Sequence, residues 1–279
     1  MSYKTILVHV DQTAPTAARI RLAAQLAAQQ EAHLSAVATT GVAQVILQNS
    51  ALETVDPNLG IYFDLLRERA ELALKQFAPL AHDAGVRSCD SHLVNTEAAG
   101  EFIALARSSD LIVLGQTDAQ ALSPTVGRDF AQAVMMQAGR PVLIVPYAGH
   151  FLNLGQRVLV AWDGSLEAAR AVSAALPLLK RAKMVDVVVL NAPAVPDVSA
   201  EVSGADIVAN LKRHGVTAEL SLQRTGTDIG NALLSLAADL NSDLLVMGGY
   251  GHSRFRELLL GGATRTVLEA MTLPVLMAH

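Results

Sequence analysis

Two stretches of the chain begin alike, and two end alike. Ile6-Leu7-Val8-His9-Val10-Asp11 aligns with Val158-Leu159-Val160-Ala161-Trp162-Asp163 at an offset of 152 (from 11 to 163). Each is a short apolar run closed by an aspartate. Ser109-Asp110-Leu111-Ile112-Val113-Leu114-Gly115 aligns with Ser242-Asp243-Leu244-Leu245-Val246-Met247-Gly248 at an offset of 133. The same offset carries Pro141-Val142-Leu143 onto Pro274-Val275-Leu276 without a gap. A strand start, a strand-final glycine and a strand-initial proline in register twice define two tandem copies of one domain. The domains run over residues 1–148 and 155–279, joined by Tyr147 to Gln156. The first copy is 19 residues longer between its anchors (152 against 133), and its polar stretch from Thr39 to Gly60 reads as a long loop.

Within each copy, apolar runs alternate with helical patterns. Strands are predicted near 5–11, 34–38, 86–94, 110–115 and 142–146, with helices near 14–29, 61–84, 97–107 and 129–138. The second copy repeats this, with strands near 157–163, 185–191, 216–223, 243–248 and 274–278. Its helices fall near 166–181, 199–213, 228–240 and 262–271. Runs such as Leu111-Ile112-Val113-Leu114 are apolar at every position, as in strands covered on both faces. The fold class is therefore α/β: two tandem, doubly wound, five-stranded parallel sheets of the Rossmann-like kind, with right-handed crossovers. In each copy the final strand is apolar and expected at a sheet edge, so the two copies are expected to pair with each other. A homodimer is a further expectation.

Composition narrows the function. Of 279 residues 51% are hydrophobic and 17% charged, which excludes a disordered chain. No apolar run approaches the roughly 18–20 residues that span a bilayer, so no membrane partner is expected. The first residues lack a secretory pattern, and a cytoplasmic location is expected. A net charge of −5 and 4% aromatic residues argue against a nucleic-acid partner. The single cysteine, Cys89, forms no intramolecular disulfide, and on its strand it is expected to be a small buried hydrophobe. Eight scattered histidines give no metal motif, and no metal site is expected. His9, inside a strand, is expected in the core, and Tyr62 and Phe63 are expected to pack.

Chemistry in such sheets collects beyond the carboxyl ends of the strands. There the second copy carries Gly248-Gly249-Tyr250-Gly251, followed by His252-Ser253-Arg254 and, further on, Gly261-Gly262-Ala263-Thr264-Arg265 opening a helix. Glycines let the backbone turn and approach a ligand closely, and free N–H groups at a helix start favour an anion. Asp163 closes the first strand, with Ser165 placed as a helix N-cap and Glu167 in the first turn. A carboxylate apart from a glycine loop suits a mononucleotide, whose sugar and phosphates are themselves apart.

On these residues the chain resembles a tandem universal stress protein, related in fold to the adenine-nucleotide α-hydrolase-like group. Nucleotide-binding members of that family carry Gly-x2-Gly-x9-Gly-(Ser/Thr), which Gly248, Gly251 and Gly261 match. Gly262 stands where Ser or Thr is usual. The resemblance implies an adenine nucleotide (ATP or AMP, with Mg²⁺ a possible companion) held by Trp162, Asp163, Met247, Gly248, Gly251, His252, Ser253, Gly261, Gly262, Ala263 and Thr264. It places Asp163 near ribose and Met247 near adenine, and it implies a role in stress response.

The first copy departs from the motif. Asp118 replaces Gly251, and Arg128 and Asp129 replace Gly261 and Gly262, so a scaffold half is expected there with Asp11 a structural relic. No P-loop and no Gly-x-Ser-x-Gly elbow occurs, and no catalytic residue is assigned. The leading expectation is a binding module rather than an enzyme. The alternative is an interaction protein of the same family that binds no nucleotide.

Overall fold

A computed structural model of the chain describes residues 2–41, 59–94, 98–118, 126–151, 153–191, 198–250 and 262–279. The expected Thr39–Gly60 loop lies mostly outside the described residues. The chain divides into two compact units, Ser2–Val142 and Leu143–His279.

The first unit alternates β1 (Thr5–Val10), α1 (Thr16–Gln30), β2 (His33–Thr39), α2 (Leu59–Asp83), β3 (Cys89–Val94), α3 (Ala98–Ala106), β4 (Leu111–Gly115) and α4 (Phe130–Gln137). β5 (Val142–Val145) begins where the units divide. The strands run parallel in the order β3-β2-β1-β4. At the entrance to β5, the Pro141 carbonyl accepts the Ile112 N–H at 3.0 Å. The central strands are covered on both faces: Ile6, Val8 and Leu111 to Leu114 are wholly buried. That is why they read as unbroken apolar runs.

The second unit repeats the pattern with β6 (Arg157–Ala161), α5 (Leu166–Leu179), β7 (Met184–Leu190), α6 (Val198–Arg213), β8 (Ala218–Gln223), α7 (Ile229–Asp239), β9 (Leu244–Gly248), α8 (Ala263–Ala270) and β10 (Val275–Ala278). Its parallel order is β10-β9-β6-β7-β8. The strand order therefore reverses between β6 and β9, which opens a crevice at their carboxyl ends.

The repeated Ser-Asp pair has a shared structural role. Asp110, just before β4, accepts the backbone N–H groups of Lys4 (2.7 Å) and Thr5 (3.1 Å) with its Oδ2. Asp243, just before β9, accepts those of Gly155 (2.8 Å) and Gln156 (2.8 Å). In each unit one carboxylate thus ties the start of the first strand to the start of the fourth. The Gly149 and Gly155 turns of the connecting stretch have φ of 116° and 80°, a region that favours glycine.

Two expectations about packing need correction. Cys89 is exposed, because β3 is the outer strand of its sheet and shows Cys89, Asp90, Ser91 and His92 to solvent. Tyr62 is 42% exposed, because the buried stripe of α2 (Leu66, Ala70, Ala73, Phe77 and Ala81) begins one turn later. Phe63 is half-buried. His9 is in the core as expected, edge-on to the Phe102 ring at 5.7 Å and tilted against Phe130 at 5.0 Å. Among the described residues no helix is long and apolar enough to cross a membrane.

Candidate functional site

At the carboxyl end of β6, the Trp162 N–H donates to the Val188 carbonyl at 2.9 Å, keeping the chain in the sheet for one more residue. Asp163 then leaves it and is exposed. Its Oδ1 accepts the Ser165 N–H at 2.9 Å across Gly164, whose φ of 75° makes the turn. Ser165 caps α5 by accepting the Ala168 N–H on its hydroxyl at 3.1 Å.

β9 delivers the other wall. Met247 is 6% exposed and registers with Met277, while Gly248 registers with Ala278. Gly248 has to be glycine here: a Cβ would fall 2.7 Å from the Ala168 nitrogen and 2.9 Å from the Glu167 carbonyl carbon. The first turn of α5 therefore rests directly on the end of β9.

Beyond Gly249, Tyr250 adopts a left-handed backbone with φ of 51°. It is held there by its N–H, which donates to the Thr264 hydroxyl at 3.3 Å. A non-glycine residue in this region is strained, and such strain gathers at functional sites. Thr264 is 3% exposed, so its hydroxyl serves the turn and faces inward. Gly262 is the N-cap of α8 and has no side chain to bond back to the helix, which begins at Ala263. The cap hydroxyl usual at such a position is absent, and among the described residues no side-chain cap is made at the positive end of the helix. α8 is set by its close approach to α7: a Cβ on Gly230 would lie 2.7 Å from Thr266 Cβ and 2.8 Å from the Ala263 carbonyl. Arg265 is exposed and pairs with Glu269 at 2.7 Å. Gly251, His252, Ser253 and Gly261 lie outside the described residues.

The same place in the first unit is built differently. Asp11 makes the same turn, its Oδ1 accepting the Thr13 N–H at 3.0 Å, as Asp163 does for Ser165. But Asp11 is buried, and the Thr13 and Thr16 hydroxyls also donate to it. Arg19 Nη2 stands 3.2 Å away. The Arg19 guanidinium also donates from Nε to the His9 carbonyl at 2.8 Å, and it fills the space beside Gly115 where a Cβ would be. Burial alone would raise the Asp11 pKa, but Arg19, His9 and the two threonine hydroxyls outweigh it. The carboxyl is held well below the usual range. Arg128 and Asp129 are exposed, and Asp129 makes no capping bond to α4.

Arg19 was missed from the sequence and Glu167 was read only as a first-turn acid, although the repeat carried the signal. At the offset of 152, Arg19 stands opposite Ala171, Thr16 opposite Ala168, and Glu167 opposite Pro15. A charged side chain facing alanine or proline in the other copy marks where the two sites diverge.

Fold and site together define a tandem doubly wound α/β protein with its candidate site at the carboxyl ends of the strands. A model of the universal stress protein family matches the chain twice, over residues 2–146 and 155–279, and the chain belongs to that family. A universal stress protein of Synechocystis sp. is 28% identical over 171 residues, 60% of this chain and 57% of that protein. The chain therefore matches little more than half the length of that relative. The crystal structure of a universal stress protein from Archaeoglobus fulgidus has the same fold, with a TM-score of 0.75 at 18% identity over 98% of this chain and 95% of that one. The structure of the universal stress protein from Archaeoglobus fulgidus in complex with dAMP matches 52% of this chain and 98% of its own, at 20% identity and a TM-score of 0.35.

Proposed function

We propose that the second unit binds one adenine nucleotide, ATP or AMP, and that the protein acts in the cytoplasmic stress response by binding rather than by catalysis. The asymmetry between the two strand ends carries this reading. In the second unit the Asp163 carboxylate is exposed and Gly262 stands at the start of α8 where the first unit has the Asp129 carboxylate at the start of α4. In the first, Arg19 reaches the end of β4 beside Gly115 and pairs with Asp11, which is spent on internal partners. The groups present fit the ligand: a carboxylate for sugar hydroxyls and an open helix start for phosphate. Asp163, Met247, Gly248 and the Gly262–Thr264 turn would hold it, and the nucleotide would supply the polyphosphate charge, with Mg²⁺ as its counter-ion.

Calorimetric titration of the full chain with ATP and Mg²⁺ tests this. One site per chain is expected, abolished by Gly251→Asp, which copies Asp118 of the first copy. Two sites per chain would overturn the assignment to the second unit. No binding, together with no nucleotide released from freshly purified protein on denaturation, would overturn the nucleotide reading.

A further inference from the structure

α2 carries a second apolar stripe on its outer side. Its buried face, through Leu66, Ala70, Ala73, Phe77 and Ala81, packs into the first unit. On the opposite side Ile61, Leu65, Leu72 and Pro79 recur at steps of four, seven and seven residues, which puts them on one face of an α-helix. All four are exposed, Ile61 at 72%, Leu65 at 41% and Leu72 at 42%. Of the eight exposed large apolar side chains among the described residues, four lie on this one helix: Ile61, Tyr62, Leu65 and Leu72. α6 links the second and third strands of the second unit as α2 does in the first, and it exposes Ala205, Asp206, Asn210, Lys212 and Arg213 instead. A helix laid on a sheet needs one apolar stripe. A second one, grouped and interrupted by charges, marks a protein-binding surface.

The order of residues along the stripe says which protein. Leu65 stands seven residues before Leu72 and Pro79 seven after it, while Glu68 stands four before and Lys75 three after. A second α2 laid antiparallel, with the two-fold axis at Leu72, therefore brings like to like and opposite charge to opposite charge. Leu72 meets the partner's Leu72, Leu65 meets the partner's Pro79, and Glu68 meets the partner's Lys75 on the same flank. Arg67 and Glu71, to one side of the stripe, already pair with each other at 3.2 Å. A parallel copy would instead set Glu68 against Glu68 and Lys75 against Lys75.

We propose that the outer face of α2 binds a second copy of this chain, antiparallel and about a two-fold axis at Leu72. One patch then serves both partners, as a two-fold interface requires. The contact of one helix with one helix is small, which sets a reversible dimer rather than a permanent one. This surface belongs to the first unit and is independent of the nucleotide reading.

Sedimentation of the full chain over roughly 1 to 200 µM, the range in which small interfaces associate, tests it. Wild type is expected to pass from monomer to dimer within that range. Leu65→Lys/Leu72→Lys should weaken the dimer about a hundredfold and leave monomer throughout. Glu68→Lys, which sets lysine against the partner's Lys75, should weaken it about tenfold, and Glu68→Lys/Lys75→Glu should restore it. A wild type that stays monomeric overturns the proposal and leaves the stripe to another segment of the chain or to a different protein. A dimer that ignores the leucine substitutions overturns it, because association then uses another surface. A charge swap that fails to restore what Glu68→Lys lost overturns the antiparallel register. A lower melting temperature of the dilute leucine variant also overturns it, since those side chains then pack within the monomer.

Discussion

The Arg19 guanidinium and the Asp11 carboxylate stand 3.2 Å apart, with only 3% and 7% of their side chains exposed. In water-free surroundings neither charge is tolerable alone, and each is further held by neutral partners: His9 and Thr16 for Arg19, Thr13 and Thr16 for Asp11. Removing one member strands the other. Arg19→Ala, which copies Ala171 of the second unit, is expected to cost about 3–5 kcal/mol. The double variant Asp11→Asn/Arg19→Ala should cost less than the sum of its single changes. Calorimetric melting of all four proteins measures the coupling.

His9 gives the first unit an acid sensitivity. Burial lowers its pKa to about 4, with Arg19 adding to the effect and Asp11 opposing it. Between about pH 6.5 and 4 the unfolded chain binds a proton there that the native state refuses. Stability therefore falls as pH falls through that window, by on the order of 3 kcal/mol. Asp11, held low, adds a separate loss at still lower pH as its carboxylate is protonated. In His9→Leu the melting temperature should become flatter than wild type between pH 6.5 and 4 while the steeper loss below pH 4 remains. A variant profile parallel to wild type would contradict the assignment.

Gly248→Ala forces a Cβ against backbone atoms of the first turn of α5, which a rotamer change cannot relieve. A cost of about 1–3 kcal/mol is expected, in the range for overpacking. Trp162 is the chain's single tryptophan and adjoins this site, so urea unfolding followed by its fluorescence reports the second unit.

Asp110 and Asp243 do the same work in different units, and that permits a paired test. Each alanine variant loses acceptors for two backbone N–H groups, at an expected cost of about 1–3 kcal/mol. Asp243→Ala should shift the Trp162 fluorescence transition to lower urea. Asp110→Ala should leave that transition in place and lower a calorimetric melting step instead.

Most of the fold was legible because its central strands are covered on both faces, and such strands announce themselves as Leu111-Ile112-Val113-Leu114 does. The repeat then fixed which segments correspond. Edge positions were harder to judge: Cys89 sits in a strand, but a strand at the margin of its sheet leaves even a cysteine in solvent. The glycines of β9 and α8 pointed to a turn and an open helix start; Gly248 instead lets the first turn of α5 rest on β9, the left-handed turn falls at Tyr250, and Gly262 begins α8 without a side-chain cap. Arg19 was hidden because a charged residue on a helix ordinarily faces water. Its buried partner, eight residues earlier on a strand end, becomes its neighbour only through the β1–α1 turn.

The Arg19–Asp11 pair also changes what governs the stability of each half. A crevice closed by its own side chains has a stability set, at a given pH, by the covalent chain and independent of nucleotide. A crevice completed by a small molecule gains stability with the logarithm of that molecule's free concentration once it exceeds the dissociation constant. If nucleotide binds the second unit alone, as proposed, the protein joins a nucleotide-independent half to a gauge. Local opening of Leu143–His279 would then track the nucleotide supply, and Ser2–Val142 would supply a reference that does not respond to it.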